Sequence, residues 1–267
     1  MDLKLDGKSA LVTGSGIGIG EGVARVLAGE GARVIIHGRN ENQVNKTVQE
    51  ISAAGGKVLA VLGDLSSDAA AKKVADEVLR IAGPIDILVN NAGMYPLRSW
   101  MGTTPQQWAE IYDNNVISMV RMIHAFLPGM KERGWGRIIQ IASVAATIPG
   151  STVPDYSASK AAVLNLTASL TKELAGTGIT ANSVSPGPIV TPGWYKFAQE
   201  IAESEGWGTA PAELEERMLS SLEANPTGKL GRPEDVGHLV AFLASPLADF
   251  INGANFRIDG GQTPSIN

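Results

Sequence analysis

The stretch SALVTGSGIGIG, residues 9–20, joins a short apolar, β-branched run to a cluster of glycines. The first half predicts a buried strand, and the second half predicts a tight turn into a helix that begins at about Gly18. Glycine allows the backbone to turn sharply and to approach a pyrophosphate group at a helix N-terminus. The spacing is G-x-x-x-G-x-G at Gly14, Gly18 and Gly20, because Ile19 breaks the strict G-x-G-x-x-G pattern. Taken alone, the stretch is also compatible with a flexible strand-to-helix turn.

Beyond this stretch, short β-branched runs alternate with helical stretches to the end of the chain. This alternation predicts an α/β fold: a single-domain Rossmann fold with a doubly wound, mostly parallel seven-stranded sheet flanked by helices, spanning residues 1–267. The predicted strands are 9–14, 32–38, 57–64, 85–93, 136–143, 178–187 and 255–261, and the predicted helices are 18–29, 41–54, 67–82, 105–132, 155–176 and 233–244.

One long segment, at about 188–228, interrupts the pattern between the sixth strand and the last helix. It predicts one or two short helices after a hinge at Pro188, Pro192 and Gly193. Its aromatic residues favour a mobile lid in which Trp194 and Phe197 face a substrate with an apolar or ring portion. The opposite wall is predicted from Met94, Tyr95 and Pro96. The alternative is that the aromatic residues pack on the sheet or on a neighbouring subunit.

The composition excludes several classes of function. The chain has no cysteine, which excludes disulfides and thiolate catalysis, and its net charge of −5 gives no reason to expect a nucleic-acid partner. Its three histidines are far apart, so no metal site is expected. No apolar run is long enough for a signal peptide or a membrane span, and we therefore expect a cytoplasmic protein without a membrane partner.

The end of the second strand bears on the choice of cofactor. A dinucleotide site for NAD usually places an acidic residue there, about 20 residues after the glycine turn, to bind the ribose 2′-hydroxyl. Here Gly38 occupies that place and Arg39 follows it. An arginine can pair with a 2′-phosphate, so NADP is favoured, with NAD possible. His37 and Asn40 could add polar contacts, although Arg39 could also be an ordinary exposed arginine.

Polar residues gather where later strands are predicted to end. The segment NNAG, residues 90–93, follows the fourth strand, and Ser143 follows the fifth. The carboxyl ends of parallel strands face one crevice, so both segments should approach the glycine turn. Tyr156 and Lys160 lie one helical turn apart among small residues. An ammonium at this distance should lower the pKa of the phenol and suit it to proton transfer.

Together these motifs resemble the classical short-chain dehydrogenase/reductase family from Gly7 to Gly261. The resemblance implies a catalytic tetrad of Asn115, Ser143, Tyr156 and Lys160. It also implies cofactor contacts from the glycine turn, the strand ends and the catalytic pair: Thr13, Gly14, Ser15, Ile17, Gly18, Ile19, Arg39, Asp64, Leu65, Asn91, Ala92, Gly93, Tyr156, Lys160, Pro186, Gly187, Ile189 and Thr191. Singly, Asp64 could cap the following helix, Asn115 could be an ordinary helical residue, and Ser143 could be a turn residue.

The activity that the resemblance implies is NAD(P)-dependent interconversion of a ketone and a secondary alcohol. Tyr156 would be the general acid/base, Ser143 would hold the substrate oxygen, Lys160 would reach the nicotinamide ribose, and Asn115 would help to position a proton-relay water. The substrate pocket is predicted from Met94, Tyr95, Ser143, Trp194 and Phe197, and the family resemblance implies a homotetramer. Two alternatives are a 3-oxoacyl-(acyl carrier protein) reductase, which the acidic 188–228 segment disfavours, and a non-catalytic dinucleotide sensor.

Overall fold

A twisted sheet forms the centre of the protein. The computed structural model describes residues 1–221 and 225–264, and in this part of the chain seven strands lie in the order β3-β2-β1-β4-β5-β6-β7. Every neighbouring pair is parallel, so the sheet is wholly and not mostly parallel. The strands are β1 Ser9–Val12, β2 Arg33–Gly38, β3 Lys57–Leu62, β4 Ile87–Asn90, β5 Gly136–Ile141, β6 Ile179–Pro186 and β7 Asn255–Ile258.

Helices cover both faces of this sheet, as predicted. In the described residues they are α1 Gly18–Gly29, α2 Glu41–Ala53, α3 Asp68–Ala82, α4 Pro105–Tyr112, α5 Ser118–Arg133, α6 Pro154–Glu173, α7 Pro192–Glu205, α8 Pro211–Ser221 and α9 Pro233–Ala244. Successive side chains of a strand point to opposite faces of the sheet and pack in different hydrophobic cores. Val12 packs in the core with α1, α2 and α9, whereas Leu11 packs in the core with α3 and α5. The inner strands β1, β2, β4 and β5 are buried on both faces and read as largely apolar runs, whereas the edge strands β3 and β7 are partly exposed.

The first and last of these helices make an unusually close contact. A Cβ atom at Gly22 of α1 would come within 2.3 Å of Pro233, and one at Gly237 of α9 would come within 2.9 Å of the Gly22 carbonyl oxygen. Only glycine fits at either position, so the two helices touch through their backbones. This contact fixes α1 against the sheet and thereby fixes its N-terminus, where the glycine turn ends.

The stretch 105–132, predicted as one helix, contains a π-helical turn over Asp113–Ile117 between α4 and α5. The Ser118 amide donates to the Asp113 carbonyl oxygen, five residues earlier, instead of four. Such a turn accommodates one extra residue without ending the helix and is frequent at functional sites. Hydrophobic periodicity does not report a single inserted residue, which explains why the sequence indicated a continuous helix.

The 188–228 segment forms two helices, α7 and α8, as predicted, and two of the three residues predicted as a hinge belong to the first of these helices. Pro192 and Gly193 are the first residues of α7, and Thr191 caps the helix by accepting a hydrogen bond from the Trp194 amide at 3.1 Å. Proline is favoured at this position because its fixed φ suits the first helical turn. Residues 222–224 of the segment, including the Glu223 counted among its acidic residues, lie outside the described residues, as do residues 265–267 at the C-terminus.

The two ends of the segment meet at its base. Ile189 and Gly231 form a parallel β-bridge, and the Val190 amide donates to the Gly231 carbonyl oxygen at 2.9 Å. Above this base, α7 and α8 share a small core of their own that includes Trp194, Ala198 and Leu214. The segment is therefore an excursion with a small core of its own, and a hydrogen bond from the Thr227 amide to the Gly260 carbonyl oxygen at 3.3 Å also holds it to the domain.

Within the described part of the chain, no helix is both long enough and apolar enough to cross a membrane.

Candidate active site

A cavity of about 790 Å³ lies at the carboxyl ends of the strands, between the glycine turn and the α7–α8 excursion. The predicted residues on its wall are Gly14, Ile17, Gly18, Ile19, Arg39, Asp64, Leu65, Asn91, Ala92, Gly93, Tyr95, Ser143, Tyr156, Gly187, Ile189, Thr191, Trp194 and Phe197. The sequence therefore located both the cavity and most of its wall.

The glycine turn is shaped for close approach of a ligand. Gly14 has φ +64°, and a Cβ atom there would lie 2.9 Å from the Ala92 Cα. The Asn91 side chain holds the turn by donating to the carbonyl oxygens of Thr13 at 2.9 Å and Gly14 at 3.0 Å. No side chain caps the start of α1 at Ile17. The first amide groups of α1 are thus available to an anion, which fits the pyrophosphate of a dinucleotide.

Thr13 and Ser15 do not line the cavity; their hydrogen bonds stabilise the glycine turn from its buried side. The Thr13 hydroxyl accepts hydrogen bonds from the amides of Asn91 at 2.9 Å and Ala92 at 3.0 Å. The Ser15 hydroxyl donates to the Val12 carbonyl oxygen at 2.7 Å and accepts from the His37 amide at 3.0 Å. Both side chains are buried, and each connects the glycine turn to a neighbouring strand.

His37, at the end of β2, forms part of the cavity wall beside the glycine turn. Its Nδ1 atom accepts a hydrogen bond from the Gly14 amide at 3.2 Å, which requires the ring proton to be on Nε2. The side chain is 2% exposed, and this burial lowers the pKa of His37 to about 4. The imidazole is therefore neutral at physiological pH, and the positive charge at this end of the cavity comes from Arg39.

Asp64 lies near Arg39 on the same wall. Its carboxylate accepts hydrogen bonds from the amide of Leu65 at 2.8 Å and from both the amide and the hydroxyl of Ser66. The Ser66 hydroxyl, together with these amides, lowers the pKa of Asp64. The alternative role as a helix cap is wrong, because Ser67 caps α3 by accepting from the Ala70 amide at 3.3 Å.

Tyr156 and Ser143 both lie on the opposite wall, and Ser143 is near enough to act on the pKa of the Tyr156 phenol. Burial raises the pKa of Tyr156 to about 12, and Ser143 acts in the opposite direction. The prediction that Lys160 lowers this pKa concerns the site with an oxidised nicotinamide beside it, and it stays a prediction. The Lys160 ammonium lies 5.7 Å from the centre of the Tyr156 ring and donates to the Ile141 carbonyl oxygen at 2.8 Å. Burial lowers the pKa of Lys160 to about 8.

Asn115 lies in the π-helical turn and is fully buried, with its side chain behind the cavity wall. Its amide oxygen accepts from the Met94 amide at 2.8 Å, and its amide nitrogen donates to the Met94 carbonyl oxygen at 2.9 Å and to Ser159 at 3.1 Å. The side chain thus joins the loop after β4 to helix α6. Asn114 and Ser118, on either side of it in the chain, do line the cavity.

The substrate end of the cavity is mainly apolar and aromatic. Tyr95 contacts the Tyr156 ring, with ring centres 5.7 Å apart, and the Phe197 ring, with centres 6.5 Å apart. Leu97 lines this end, whereas the predicted Met94 and Pro96 do not. Trp194 reaches the cavity but is 7% exposed, because it also packs beneath α8. Trp194 therefore lies on the cavity wall and packs within the α7–α8 core, which includes no residue of the sheet.

Two further cofactor candidates, Lys160 and Pro186, also lie off the cavity wall. The wall includes residues that the sequence analysis did not select. Gly16 lies inside the glycine turn and could have been found there. The others carried no motif: Gln43, Val44, Gly63, Leu97, Asn114, Ser118, Ala145, Thr152, Val153 and Met218. Pro188, Pro192 and Gly193, which were predicted as a hinge, also line the cavity. No group of three potential metal-ligating side chains occurs among residues 1–221 and 225–264.

The sequence and the structure both match known oxidoreductases. A family model described as short chain dehydrogenase matches residues 8–202. An uncharacterized oxidoreductase of Bacillus subtilis, YvaG, is 38% identical over the whole of both chains. The 3-oxoacyl-[acyl-carrier-protein] reductase FabG of Vibrio cholerae is 35% identical over 97% of this chain and 99% of that protein. The L-sorbose reductase of Gluconobacter frateurii, solved with NADPH and L-sorbose, has a TM-score of 0.92 and 30% identity over the whole of both chains.

The chain therefore belongs to the short-chain dehydrogenase family, and it is an oxidoreductase of that family.

Proposed function

We propose that this protein is an NADP(H)-dependent oxidoreductase that interconverts a ketone and a secondary alcohol, with Tyr156 as the general acid/base. The observation that carries the proposal is that Tyr156 and Ser143 lie together on one cavity wall, with Ser143 near enough to act on the pKa of the phenol. They stand on the wall of the same cavity as the glycine turn. A proton donor and a hydrogen-bond donor beside a dinucleotide cradle suit reduction of a carbonyl group.

The residues of the cavity fit a nicotinamide dinucleotide. The glycine turn and the start of α1 would hold the pyrophosphate, Asp64 and Leu65 the adenine side, and Gly187 to Thr191 the nicotinamide side. NADPH, when bound, supplies the hydride. Preference for NADP is supported by Arg39, which is exposed at the cavity wall where an NAD site usually has a carboxylate. The similar L-sorbose reductase was solved with NADPH.

The protonation state of Tyr156 favours reduction. With its pKa raised to about 12 by burial, the phenol keeps its proton at neutral pH and can donate it to the carbonyl oxygen. Ser143 holds the same oxygen through a hydrogen bond. Oxidation of the alcohol needs the phenolate, and the Lys160 ammonium, 5.7 Å from the ring centre, would stabilise that form. Asn115 supports this arrangement by joining the loop after β4 to the helix that carries Tyr156.

We further propose that the substrate has an apolar or ring portion and that α7 and α8 close over it. The proposal is supported by the aromatic contact of Tyr95 with Phe197, which spans the cavity mouth from the loop after β4 to α7. It is also supported by the small core that α7 and α8 share with each other. Closure of such an excursion would exclude water during hydride transfer.

A 3-oxoacyl thioester is the second candidate substrate, favoured by the similarity to FabG of Vibrio cholerae. The exposed glutamates of α7 and α8 argue against delivery by an acidic carrier protein, because like charges at the mouth would repel it. A non-catalytic sensor is disfavoured because no member of the predicted tetrad is replaced.

The direct test is a screen of ketones, 3-oxoacyl thioesters and secondary alcohols that follows the absorbance of the reduced cofactor, run with both NAD(H) and NADP(H). Tyr156→Phe should lower kcat by about 10²–10⁴, because only the proton donor is removed, while calorimetry should show unchanged affinity for NADPH. A Tyr156→Phe variant that kept most of the wild-type kcat would refute the assigned role. Absence of turnover with every compound would favour the sensor.

Assembly into a homotetramer remains a proposal. It is supported by the fully exposed side chain of Phe250, just before the C-terminal strand that the family resemblance places at an interface. Light scattering at micromolar concentration should give about four times the chain mass of 27.9 kDa. A monodisperse monomer would contradict it. The cytoplasmic location stays a prediction.

A further inference from the structure

A buried ion pair lies directly beside the proposed general acid. The Arg98 Nη1 atom donates to Asp155 Oδ2 at 3.1 Å, and the Asp155 side chain has no exposed surface. Asp155 immediately precedes Tyr156 in the first turn of α6, whereas Arg98 belongs to the irregular segment 94–101 after β4. Ion pairs on a protein surface are weak, but a buried carboxylate depends on its partner.

The second oxygen of Asp155 acts on Tyr156 itself. Oδ1 accepts a hydrogen bond from the Tyr156 backbone amide at 2.9 Å. That amide belongs to the first turn of α6, where backbone donors lack partners within the helix, and Val153 offers no side-chain cap. One carboxylate thus fixes the backbone of Tyr156 through one oxygen and the 94–101 segment through the other.

Arg98 secures the segment at two more points. Its backbone amide donates to the Thr152 carbonyl oxygen at 2.8 Å, and its Nη2 atom lies 3.8 Å from Glu110 of α4. The neighbours of Arg98 at positions 95 and 97 line the substrate end of the cavity, and the Tyr95 ring contacts the Tyr156 ring. A shift of the segment would therefore change the distance between the substrate wall and the phenol.

We propose that Arg98 and Asp155 are positioning residues that join the substrate wall to the backbone of Tyr156 and so set the geometry in which the substrate oxygen meets the phenol. The proposal rests on the proposed function for its kinetic consequence. It does not depend on that function for the mechanical link between the 94–101 segment and α6. Neither side chain is assigned a contact with substrate or cofactor.

The kinetic test compares Arg98→Met, which keeps length and removes charge, with Arg98→Lys, which keeps the charge. Misplacement by about 1 Å can cost about 10²-fold in rate, so kcat/KM for the carbonyl substrate should fall about 10- to 100-fold in Arg98→Met. The Kd for NADPH should stay within about twofold, because the pair is remote from the glycine turn, and Arg98→Lys should recover most of the loss. Arg80→Met, which breaks the exposed pair with Glu77 on α3, is the matched control and should behave as the wild type.

Arg98→Met leaves a buried carboxylate unpaired and could fail to fold, so the double variant Arg98→Met/Asp155→Asn completes the test. It removes both charges and should recover the thermal stability without recovering kcat/KM. Recovery of both quantities would show that the pair is merely structural and would overturn the proposal. Wild-type kcat/KM in Arg98→Met, or an equal loss of NADPH affinity, would overturn it as well.

Hydrogen exchange separates this proposal from the proposed function. Arg98→Met should accelerate amide exchange in both 94–101 and the first turn of α6, but not in α3. If the wild type turned over no carbonyl compound, the proposed function would fail. The exchange measurement would still test whether Arg98 and Asp155 join the 94–101 segment to α6. Unchanged exchange in the first turn of α6 would overturn the link whatever the activity.

Discussion

Replacement of His37 by asparagine should make the protein less sensitive to mild acid. The imidazole is buried beside the glycine turn and accepts from the Gly14 amide through Nδ1. Protonation would place a second donor against that amide and a positive charge on a buried side chain. Asparagine keeps an acceptor at nearly the same position, in its Oδ1 atom, but does not titrate. The variant therefore isolates the contribution of the titration.

The magnitude follows from the difference in pKa between the two states. Burial lowers the folded-state pKa of His37 from 6.5 to about 4. Between these pH values the unfolded chain binds a proton on His37 and the folded protein does not. The unfolded state holds more protons between these values, and the free energy of unfolding must fall as the pH falls through this window. The full effect is about 3.4 kcal/mol, and the part lost between pH 7 and pH 5 is about 2 kcal/mol.

The assay is urea unfolding of wild type and His37→Asn at several pH values between 7 and 5, at one protein concentration because assembly would otherwise contribute. All other titrating groups are shared, so their effects cancel in the comparison. Wild type should lose about 2 kcal/mol more than His37→Asn over this range. His238→Asn, which removes an exposed imidazole from α9, is the control and should keep the wild-type acid sensitivity. Equal losses in wild type and His37→Asn would refute the reasoning.

Two further predictions concern the ends of the cavity. Arg39→Ala should reduce the preference for NADP over NAD by about tenfold, because a charge-assisted hydrogen bond to the 2′-phosphate is lost. Calorimetry with both cofactors measures this, and an unchanged ratio of affinities would disprove it. Backbone amides of α7 and α8 should exchange rapidly in the free protein and slowly after addition of NADPH with a substrate analogue, because the excursion closes over the ligand. Equal protection of these amides in the two states would show that α7 and α8 do not close over the ligand. Exchange in α3 is the internal reference.

Most of the fold could be predicted from local patterns in the sequence. Each predicted strand overlaps an observed one, because a fully covered parallel strand produces a continuous β-branched run that ends at a glycine or a polar residue. The π-helical turn at Asp113–Ile117 escaped prediction because one inserted residue barely changes the apolar periodicity of a long helix. Pro192 and Gly193 indicated a hinge, yet the same pair suits a helix start when a capping threonine precedes it.

The candidate site was only partly visible in the sequence. The glycine turn and the Tyr156–Lys160 spacing are local motifs. The direction in which a side chain points depends instead on hydrogen-bond partners that are distant in the sequence. Thr13 turns toward the amides of Asn91 and Ala92, and no spacing rule connects these positions. The pairing of Arg98 with Asp155 is equally remote in the chain. The raised pKa of Tyr156 could not be predicted because burial, which determines it, is a property of the folded protein.

The backbone contact between Gly22 of α1 and Gly237 of α9 also bears on the order of events during synthesis. The ribosome synthesises the glycine turn and α1 long before α9. Until α9 emerges, the face of α1 that carries Gly22 has no partner to cover it, and a nascent chain keeps that apolar face open to chaperones. The support for the dinucleotide site is therefore complete only after α9 has been synthesised. A prematurely terminated chain that stops before Pro233 would lack the support for its own dinucleotide site and would remain a substrate for proteolysis.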